Sequence, residues 1–214
     1  MTNEVMTTEV GKKRDAERTR QHILDVAITE FASRGYFGAR IDQISELTHV
    51  TKRMIYYYFT SKEGLYRAAL AEVFGKVIAA ESAYSIEGLS PLEALRKIAA
   101  VTCNLHEDAP EWARLVSSEN MGEASMIVDT GITAIERPVI GLIERVLDEG
   151  RQQGLFRQDV DAIDVHFMIS SFCFFRINNR FTYRANFGRD LLDPATRDKH
   201  QALIGDMVVA YLTS

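Results

Sequence analysis

The cations and hydrogen-bonding groups at Lys52, Arg53 and Tyr56 have the chemistry needed to contact DNA. Lysine and arginine neutralise phosphates, and both can donate to the acceptor atoms that base edges present in the major groove. Ile55 and Phe59 lie four residues apart, so they share one helix face and leave the polar side chains on the other. The pattern predicts a short helix with one packed face and one face available to a nucleic acid.

A second short helix must lie beside this one to cover its apolar face. Ile41, Ile44 and Leu47 are three residues apart, which is typical of one face of a helix too short to be stable alone. Thr48-His49-Val50 interrupts the pattern, and Thr51 can accept amide hydrogens at the start of the next helix. This is the pattern of a helix-turn-helix, although an ordinary two-helix corner with a charged, solvated face has the same one.

Features on both sides of the corner favour DNA binding. Ser61-Lys62-Glu63 opens a further helix that Ser61 can cap. The free amides of that helix and the Lys62 side chain could hold an anion such as a DNA phosphate. A basic lead-in that could follow the phosphate backbone or reach a minor groove comprises Lys12, Lys13, Arg14, Arg18 and Arg20, interrupted by Asp15 and Glu17. For residues 1–13, a frayed N-terminus explains the same composition.

The pattern extends well beyond the corner, over residues 18–66. It consists of Thr19-Arg20, Ile23-Leu24, Ala27, Phe31, Gly35-Tyr36, Ile41, Ile44, Val50, Ile55-Tyr56, Phe59, Ser61-Lys62-Glu63 and Leu65. In these positions the chain resembles the DNA-binding domain of the tetracycline-repressor (TetR) family. The resemblance is specific for DNA binding and silent on any ligand.

The resemblance implies roles for individual side chains. Thr51, Lys52, Arg53 and Tyr56 would face DNA, Tyr57 and Lys62 would lie near phosphates, and Tyr58 would pack. With the basic lead-in and Arg40, the predicted DNA-binding set is Arg14, Arg18, Arg40, Thr51, Lys52, Arg53, Tyr56, Tyr57 and Lys62.

Four residues depart from the family pattern. Arg40 stands where Ser or Thr often caps the first helix of the motif; the missing cap is worth about 1 kcal/mol, but a guanidinium there can reach a phosphate. Ser45 and Thr48 replace residues that are usually Ala, and His49 replaces the usual turn Gly. Left-handed backbone is costly for most side chains, yet His tolerates it better than branched ones. We expect the motif to survive, with an operator sequence that no relative predicts.

Charge and apolar stretches agree with an intracellular regulator. Residues 1–62 carry 10 Lys/Arg against 8 Asp/Glu, a net +2, whereas the rest of the 214-residue chain carries 15 against 22, a net −7. An acidic body discourages nonspecific DNA from wrapping around it. The first residues do not read as a signal peptide, and the longest apolar stretch, Phe167 to Phe175, is far shorter than the roughly 20 residues that span a bilayer. We therefore expect a cytoplasmic protein with no membrane partner.

The fold class predicted is all-α, with an N-terminal three-helix DNA-binding domain followed by a larger helical domain for ligand binding and dimerisation. The predicted domains are a flexible arm (1–13), the DNA-binding domain (14–60) and the helical body (61–214). Beyond the motif, helices are expected at about 61–82, 90–106, 110–120, 124–151, 161–184 and 195–213. Ser90-Pro91 suits a helix start, and Pro138 either kinks or splits its segment.

The last two helices indicate a homodimer. Phe167, Ser170, Ser171, Phe174 and Phe175 combine aromatic and small residues, and a second stripe consists of Ile204, Met207, Val208 and Tyr211. Either stripe could face the protomer's own core, but two such helices suggest a four-helix interface across a twofold axis, as the family resemblance also implies. A dimer would read two half-sites about 34 Å apart or a multiple of that spacing.

The resemblance further implies a pocket for a small-molecule inducer, whose identity the sequence does not contain. Candidate ligand-binding residues are Trp112, Leu115, Asn120, Met126, His166, Phe167, Phe172 and Arg176. Aromatic and Met residues at helical spacing, Met121 among them, more often belong to an ordinary core, and Asn178 could equally well belong to the dimer surface.

Metal, cofactor and enzyme chemistry have little support in the sequence. His106-Glu107-Asp108 with Glu111 resembles a cation site, but acids near a helix N-terminus explain the cluster more simply. Cys103 and Cys173 have no metal-ligand spacing and are expected to be buried, reduced thiols, with a thiol switch as the alternative. No hydrolase elbow, phosphate-binding glycine loop or His-Glu-x-x-His pair occurs. We expect the protein to bind no cofactor and to have no enzymatic activity. The alternative to a DNA-binding protein is an adaptor that binds another protein.

Overall fold

Every regular element of the structure is helical, which confirms the all-α prediction. The computed structural model describes residues 2–122, 125–128, 130 and 137–214, with side chains from residue 14 onward except those of residues 125 and 128. Those ranges contain no strand. The helices are α1 (Thr2–Gly38), α2 (Ile41–Thr48), α3 (Lys52–Phe59), α4 (Lys62–Ser82), α5 (Pro91–Asp108), α6 (Pro110–Met121), α7 (Ser125–Val128), α8 (Pro138–Gln152), α9 (Ala162–Asn178), α10 (Arg180–Phe187) and α11 (Pro194–Thr213).

Helix starts coincide with capping side chains and first-turn prolines. At Ser90-Pro91, Glu93 Oε2 accepts hydrogen bonds from the Ser90 amide at 2.9 Å and the Ser90 hydroxyl at 2.6 Å, so the predicted start of α5 is confirmed. Asp161 caps α9 by accepting from the amide of Asp164 at 2.8 Å. These local bonds satisfy amides that the first turn of a helix leaves free.

One of the two outcomes predicted for Pro138 is confirmed, and a different predicted helix segment needs revision. The segment 124–151 is split, because α7 ends at Val128 and α8 begins at Pro138, whose ring cannot continue a helix. The prediction of one helix over 161–184 is wrong. Helix α9 ends at Asn178, and the side-chain amide of Asn179 donates to the Phe175 carbonyl at 3.2 Å, which occupies an acceptor at the helix end.

The chain divides into two compact units. The first comprises residues 1–73 and 114–132, and the second comprises residues 74–113 and 133–214. The core of the first unit is built by α1 to α4 around Ile23, Phe31, Ile44, Ile55 and Tyr66, all fully buried. The core of the second unit is built by α5, α8, α9 and α11. The predicted domain boundary at residues 60 and 61 stays a prediction.

Gly150, in the last turns of α8, is a site of close packing in the second unit. A Cβ atom there would overlap the ring of Phe156, which is itself buried. We expect Gly150→Ala to lower the free energy of unfolding by about 1–3 kcal/mol, because overpacking outweighs the helix propensity of alanine. Gly141→Ala, in the same helix but without a close neighbour, should be neutral or stabilising by up to about 1 kcal/mol. Chemical denaturation measures both, and equal effects would contradict the packing argument.

Candidate nucleic-acid interface

Helices α2 and α3 form the predicted helix-turn-helix, with their apolar side chains buried in the first unit. Ile44 and Ile55 are fully buried, and Phe59 is 5% exposed. The prediction that Leu47 shares the buried face of α2 is wrong, because its side chain is 55% exposed. Thr48 takes the buried position instead, and its hydroxyl donates to the Ile44 carbonyl at 2.7 Å. The polar side chain is thus satisfied without water.

The turn between α2 and α3 accommodates its departures from the family pattern. His49 adopts the left-handed conformation expected of that position, with φ 54° and ψ 26°, and its amide donates to the Glu46 carbonyl at 3.3 Å. The Ser45 hydroxyl donates to the Val50 carbonyl at 2.6 Å. Each of these side chains therefore has a place in the motif, and the expectation that the motif survives is confirmed.

Side-chain caps fix the starts of α3 and α4. The Thr51 hydroxyl accepts a hydrogen bond from the Met54 amide at 3.4 Å, and the Ser61 hydroxyl accepts one from the Gly64 amide at 3.0 Å. Arg40 makes no side-chain cap for α2, as its type predicts. Its amide donates to the Glu30 carboxylate at 3.3 Å, and its side chain is exposed.

One face of α3 is open to solvent. Tyr57 is 76% exposed and Tyr56 is 42% exposed, while Tyr58 is half-buried. Thr51, Lys52 and Arg53 are exposed at the start of the helix. The face also includes Met54, 38% exposed, which sequence reasoning missed because an apolar residue at this position carries no charge signal. Exposed cations and hydroxyls on one helix face form a surface that phosphates and base edges could occupy.

Lys52 is held in place by an acidic neighbour. Its ammonium forms an ion pair with the Asp42 carboxylate of α2, and both side chains are more than half exposed. The hydrogen bond to Asp42 raises the pKa of Lys52, so this side chain is fully charged at neutral pH. A nucleic-acid acceptor group that binds Lys52 must compete with Asp42.

The cationic side chains on either side of the helix-turn-helix differ in how far the fold restricts their conformation. The Lys62 ammonium lies 4.9 Å from the centre of the Tyr36 ring, and partial burial lowers its pKa. The Arg20 guanidinium lies over the Phe59 ring at 5.0 Å. Arg14 and Arg18 on α1 are exposed. Packing on aromatic rings therefore positions Lys62 and Arg20, whereas the other two can reorient.

An aromatic cluster lies inside the second unit. The rings of His106, Trp112 and Phe174 have centroids 4.8 to 5.1 Å apart, and Phe74 lies 6.1 Å from Trp112. His106 Nδ1 donates to the Thr102 carbonyl at 2.7 Å, which leaves its Nε2 atom as an acceptor. Among the described residues, neither His106 Nε2 nor Trp112 Nε1 has a hydrogen-bond partner, although both atoms are buried. Such atoms could bind the polar groups of a ligand.

Burial sets the protonation of this cluster. Desolvation lowers the pKa of His106 to about 4, so the imidazole is neutral at pH 7. In the unfolded chain the His106 imidazole takes up a proton near pH 6.5, whereas in the folded chain it does so only near pH 4. The free energy of unfolding should therefore fall by about 2–3 kcal/mol as pH drops from 7 to 4. Chemical denaturation of the wild-type protein and of His106→Gln between pH 4 and 7 tests whether the free energy of unfolding falls as the pH is lowered. The variant should lose most of this dependence; an unchanged pH profile would contradict the assignment.

Comparison with known proteins decides the family. The model of the family described as bacterial regulatory proteins, tetR family, matches residues 23–69, which include both helices of the motif. A second model, described as the tetracyclin repressor-like C-terminal domain, matches residues 91–208, more than half of the chain. The chain belongs to the TetR family. The expected family membership, made from residues 18–66 alone, is thereby confirmed and extended to the body.

Individual proteins similar to this TetR family chain match at least 90% of its length. The HTH-type transcriptional repressor NicS of Pseudomonas putida strain KT2440 is 30% identical over 207 residues, covering 96% of this chain and 98% of NicS. Among solved structures, the transcriptional regulator SCO4942 of Streptomyces coelicolor superposes with a TM-score of 0.66 at 23% identity, covering 91% and 98% of the two chains. FadR of Bacillus subtilis, solved with stearoyl-CoA, gives a TM-score of 0.63 at 20% identity, covering 90% and 98%. Ligand-responsive repression is the typical mode of TetR family regulators.

The predicted ligand-binding residues do not form one group. Trp112, His166, Phe172 and Arg176 lie in the second unit, whereas Leu115, Asn120 and Met126 lie in the first. Asn120 is exposed and Phe167 is 68% exposed. Arg176 is buried, but it bonds the Glu107 carboxylate and the Leu191 carbonyl, so its charge is already paired. Sequence reasoning missed His106 as a cluster member, although its four-residue spacing from Thr102 on α5 indicated the buried face.

The two stripes predicted for a TetR family dimer are partly buried in the protomer. On α11, Ile204 and Val208 belong to the core of the second unit, while Met207 and Tyr211 are exposed next to Leu203. On α9, Phe174 packs against His106 and Trp112. The exposed apolar stripe of α9 keeps Phe167 and Phe175 from the predicted set and adds Ile163, which lies four residues before Phe167. The exposed row of each helix therefore keeps part of the predicted stripe, whereas Phe174, Ile204 and Val208 pack inside the second unit.

Other predicted features of this TetR family chain have simple structural roles. Glu107 of the proposed cation cluster pairs with Arg176 and Arg197, and Asp108 also pairs with Arg197. Across the part of the chain that the structure describes, no three His, Cys, Asp or Glu side chains are arranged to hold a metal ion. No helix within that part is long and apolar enough to cross a membrane. Cys103 and Cys173 are free and buried, as predicted.

Proposed function

We propose that this chain represses transcription by binding a twofold operator as a homodimer, and that a small molecule releases it. The observation that supports the proposal is the exposed polar face of α3 above the buried Ile55 and Phe59. Its placement in the cytoplasm follows from the DNA that it binds. Because the chain's relatives regulate transcription, we infer no enzymatic activity.

We assign the DNA contacts by position. Thr51, Lys52, Arg53 and Tyr56, at the start of α3, would face base edges in the major groove. Backbone phosphates would be bound by residues on either side, which are Arg14, Arg18, Arg40, Tyr57 and Lys62. Since phosphate contacts carry no sequence information, the first group would set the operator sequence and the second group the affinity.

We infer that a second copy covers the exposed stripes of α9 and α11. Ile163, Phe167 and Phe175 on α9, and Leu203, Met207 and Tyr211 on α11, present apolar side chains to solvent. Exposed apolar rows on two helices are typical of an interface. Pairing them across a twofold axis gives a four-helix interface and presents two copies of α3 to one DNA duplex.

We propose that the inducer binds near the aromatic cluster of the second unit. Trp112, His166 and Phe172 remain the strongest of the predicted ligand residues, and His106 and Phe174 join them. The unpartnered Trp112 N–H and His106 Nε2 favour a ligand that offers both an acceptor and a donor. Arg176 serves the fold through Glu107 and is withdrawn from the ligand set.

Helix α4 offers a path for a signal toward α3, since it begins three residues after α3 ends. Tyr66 on α4 is fully buried and donates to Glu119 Oε1 of α6 at 2.7 Å. The other carboxylate oxygen of Glu119 accepts from the amides of Met126 and Ile127 at 3.2 Å. A ligand that moved α6 or α7 would therefore also move α4. The fraction of dimers whose two α3 helices match the operator spacing would then change.

Asp42 is expected to limit DNA affinity because its ion pair with Lys52 must be broken before Lys52 can contact DNA. We predict that Asp42→Asn raises operator affinity about 3- to 10-fold at low salt, with the gain shrinking as salt screens the charges. Fluorescence anisotropy of labelled operator measures the change. Asp198→Asn, an exposed carboxylate on α11, is the charge-matched control and should have no effect. A loss of affinity in Asp42→Asn would mean that Asp42 orients Lys52 for DNA.

The proposal is tested with the full-length chain and DNA from upstream of its own gene. Anisotropy should give tight, salt-dependent binding to this DNA and at least about 10³-fold weaker binding to a scrambled duplex of the same length. Equal binding to both duplexes would exclude a specific operator in the upstream DNA. No binding to either duplex would favour the protein-adaptor alternative.

The inducer is sought through Trp112, the single tryptophan of the chain. Compounds that quench its fluorescence should weaken operator binding, and operator DNA should weaken compound binding by the same factor, because coupling is reciprocal. A compound that binds the second unit without changing operator affinity would contradict ligand release. Chemical turnover of such a compound would instead support the enzyme alternative.

A further inference from the structure

The two cysteines of the chain meet inside the core of the second unit, although 70 residues separate them in sequence. Cys103 lies on α5 and Cys173 on α9, and their Sγ atoms are 2.9 Å apart. A disulfide bond is about 2.05 Å long, so closing it needs a movement of about 0.9 Å. No other cysteine is present in the chain, so neither thiol has an alternative partner within a protomer.

We propose that Cys103 and Cys173 form a redox-active dithiol, which a small peroxide converts reversibly into an intramolecular disulfide between α5 and α9. This inference does not depend on the proposed DNA or inducer binding. Both thiols are at most 1% exposed, which favours an oxidant of nearly the size of water over a bulky disulfide. Such an oxidant would reach the pair through local opening of the two helices.

The surroundings of the pair make its two sulfurs unequal. The hydrogen bond from Cys173 lowers the pKa of Cys103, and the nearby Arg176 guanidinium lowers it further, against the opposing effect of burial. The same hydrogen bond and burial raise the pKa of Cys173. Arg176 is itself buried and fixed by Glu107 and the Leu191 carbonyl. Because the fixed Arg176 guanidinium stabilises a Cys103 thiolate by both hydrogen bonding and charge, we assign Cys103 as the nucleophile and Cys173 as the resolving thiol.

The reaction balances in two steps. The Cys103 thiolate attacks one oxygen of hydrogen peroxide, the O–O bond breaks, and the leaving hydroxide takes a proton to become water. The resulting sulfenic acid is attacked by Cys173 sulfur, which loses its proton as the S–S bond forms and a second water leaves. Two thiols have then given up two electrons to one peroxide. Dithiothreitol reverses the change by exchange.

The bond would connect two walls of the aromatic cluster. Cys103 lies one helical turn before His106, and Cys173 directly precedes Phe174, whose ring lies 5.0 Å from that of His106. Cross-linking the two helices closes a long loop in the unfolded chain, so the oxidised protein should melt at least about 5 °C higher than the reduced protein.

The test treats the reduced, full-length protein with hydrogen peroxide, removes the excess with catalase, and measures intact mass and free thiols after denaturation. We expect the wild-type chain to lose two free thiols and the mass of two hydrogens, to run as a monomer on a non-reducing gel, and to recover with dithiothreitol. Two intact thiols under conditions that oxidise free cysteine would overturn the proposal. Cross-linked chains or irreversible oxidation to sulfinic acid would overturn it as well.

Single variants test the assigned order without relying on the disulfide. Cys173→Ser should stop at a sulfenic acid on Cys103, which dimedone traps as an adduct. Cys103→Ser should leave Cys173 unmodified at the same peroxide dose. Equal trapping in both variants, or trapping only at Cys173, would contradict the roles assigned to the two sulfurs. If the serine variants misfold, the mass change of the wild-type chain still decides the proposal.

Discussion

Replacing both Lys52 and Arg53 with alanine is expected to weaken operator binding at least about 100-fold while leaving the fold intact. Removing each cation should cost about 1–3 kcal/mol per protomer, because the side chain neutralises a phosphate or donates to a base edge. Both side chains are exposed, so truncation removes no core packing. The slope of log affinity against log salt should become shallower by about 1 for each phosphate that the variant no longer neutralises.

The control for this variant has the same change of charge away from α3. Lys97→Ala/Arg145→Ala removes two exposed cations from α5 and α8 of the second unit. Anisotropy titrations should give wild-type affinity for the control, and thermal melting should give equal midpoints for both double variants. Unchanged operator affinity in Lys52→Ala/Arg53→Ala would exclude these two residues as DNA contacts.

The double replacement Phe167→Asp/Met207→Asp is expected to separate the dimer and, with it, to abolish tight operator binding. Phe167 is 68% exposed on α9 and Met207 is 48% exposed on α11. Burying four carboxylates in the proposed interface costs several kcal/mol per dimer, which exceeds what the apolar contacts can offset. The DNA-binding domain of a single monomer contacts only one half-site, so we expect operator affinity to fall at least about 100-fold.

Light scattering after gel filtration measures the mass of this variant directly. Met121→Asp, which places a carboxylate on a side chain 83% exposed in the first unit, is the control and should remain dimeric. A variant that stays dimeric and binds operator with wild-type affinity would contradict the interface assigned to α9 and α11. A monomer that binds as tightly as the dimer would contradict paired reading of the operator.

The predictions that held depended on short-range patterns. Thr51 and Ser61 were expected to cap the helices that follow them, and both do so, because a cap involves residues only three apart. His49 was expected in a left-handed turn and adopts it. The all-α fold follows from the same kind of signal, helical periodicity with turn residues between segments.

The predictions that failed depended on helix phase. On α2, a step of 100° per residue brings Thr48 closer to the Ile41 and Ile44 direction than Leu47, which lies about 60° beyond Ile44. On α11, neighbouring residues also differ by about 100°, so Ile204 and Val208 are buried while Met207 is exposed. A pattern of apolar residues on both faces does not reveal which face the core takes.

Partners distant in sequence were also beyond prediction. Arg176 was expected near a ligand, but Glu107, 69 residues earlier, binds it in the core of the second unit. The meeting of Cys103 and Cys173 has the same character, because it depends on how α5 and α9 pack. Ionic and thiol pairs of this kind need the tertiary structure, since either residue alone has several possible roles.

Hydroxyl-radical footprinting of the full-length protein on its own upstream DNA tests the central claim most directly. If two copies of α3 read one operator, two protected half-sites should appear, related by twofold sequence symmetry, with centres about 34 Å or a multiple of that distance apart. Both protections should vanish together in Lys52→Ala/Arg53→Ala. A single unpaired footprint, or protection that follows no sequence symmetry, would contradict the account.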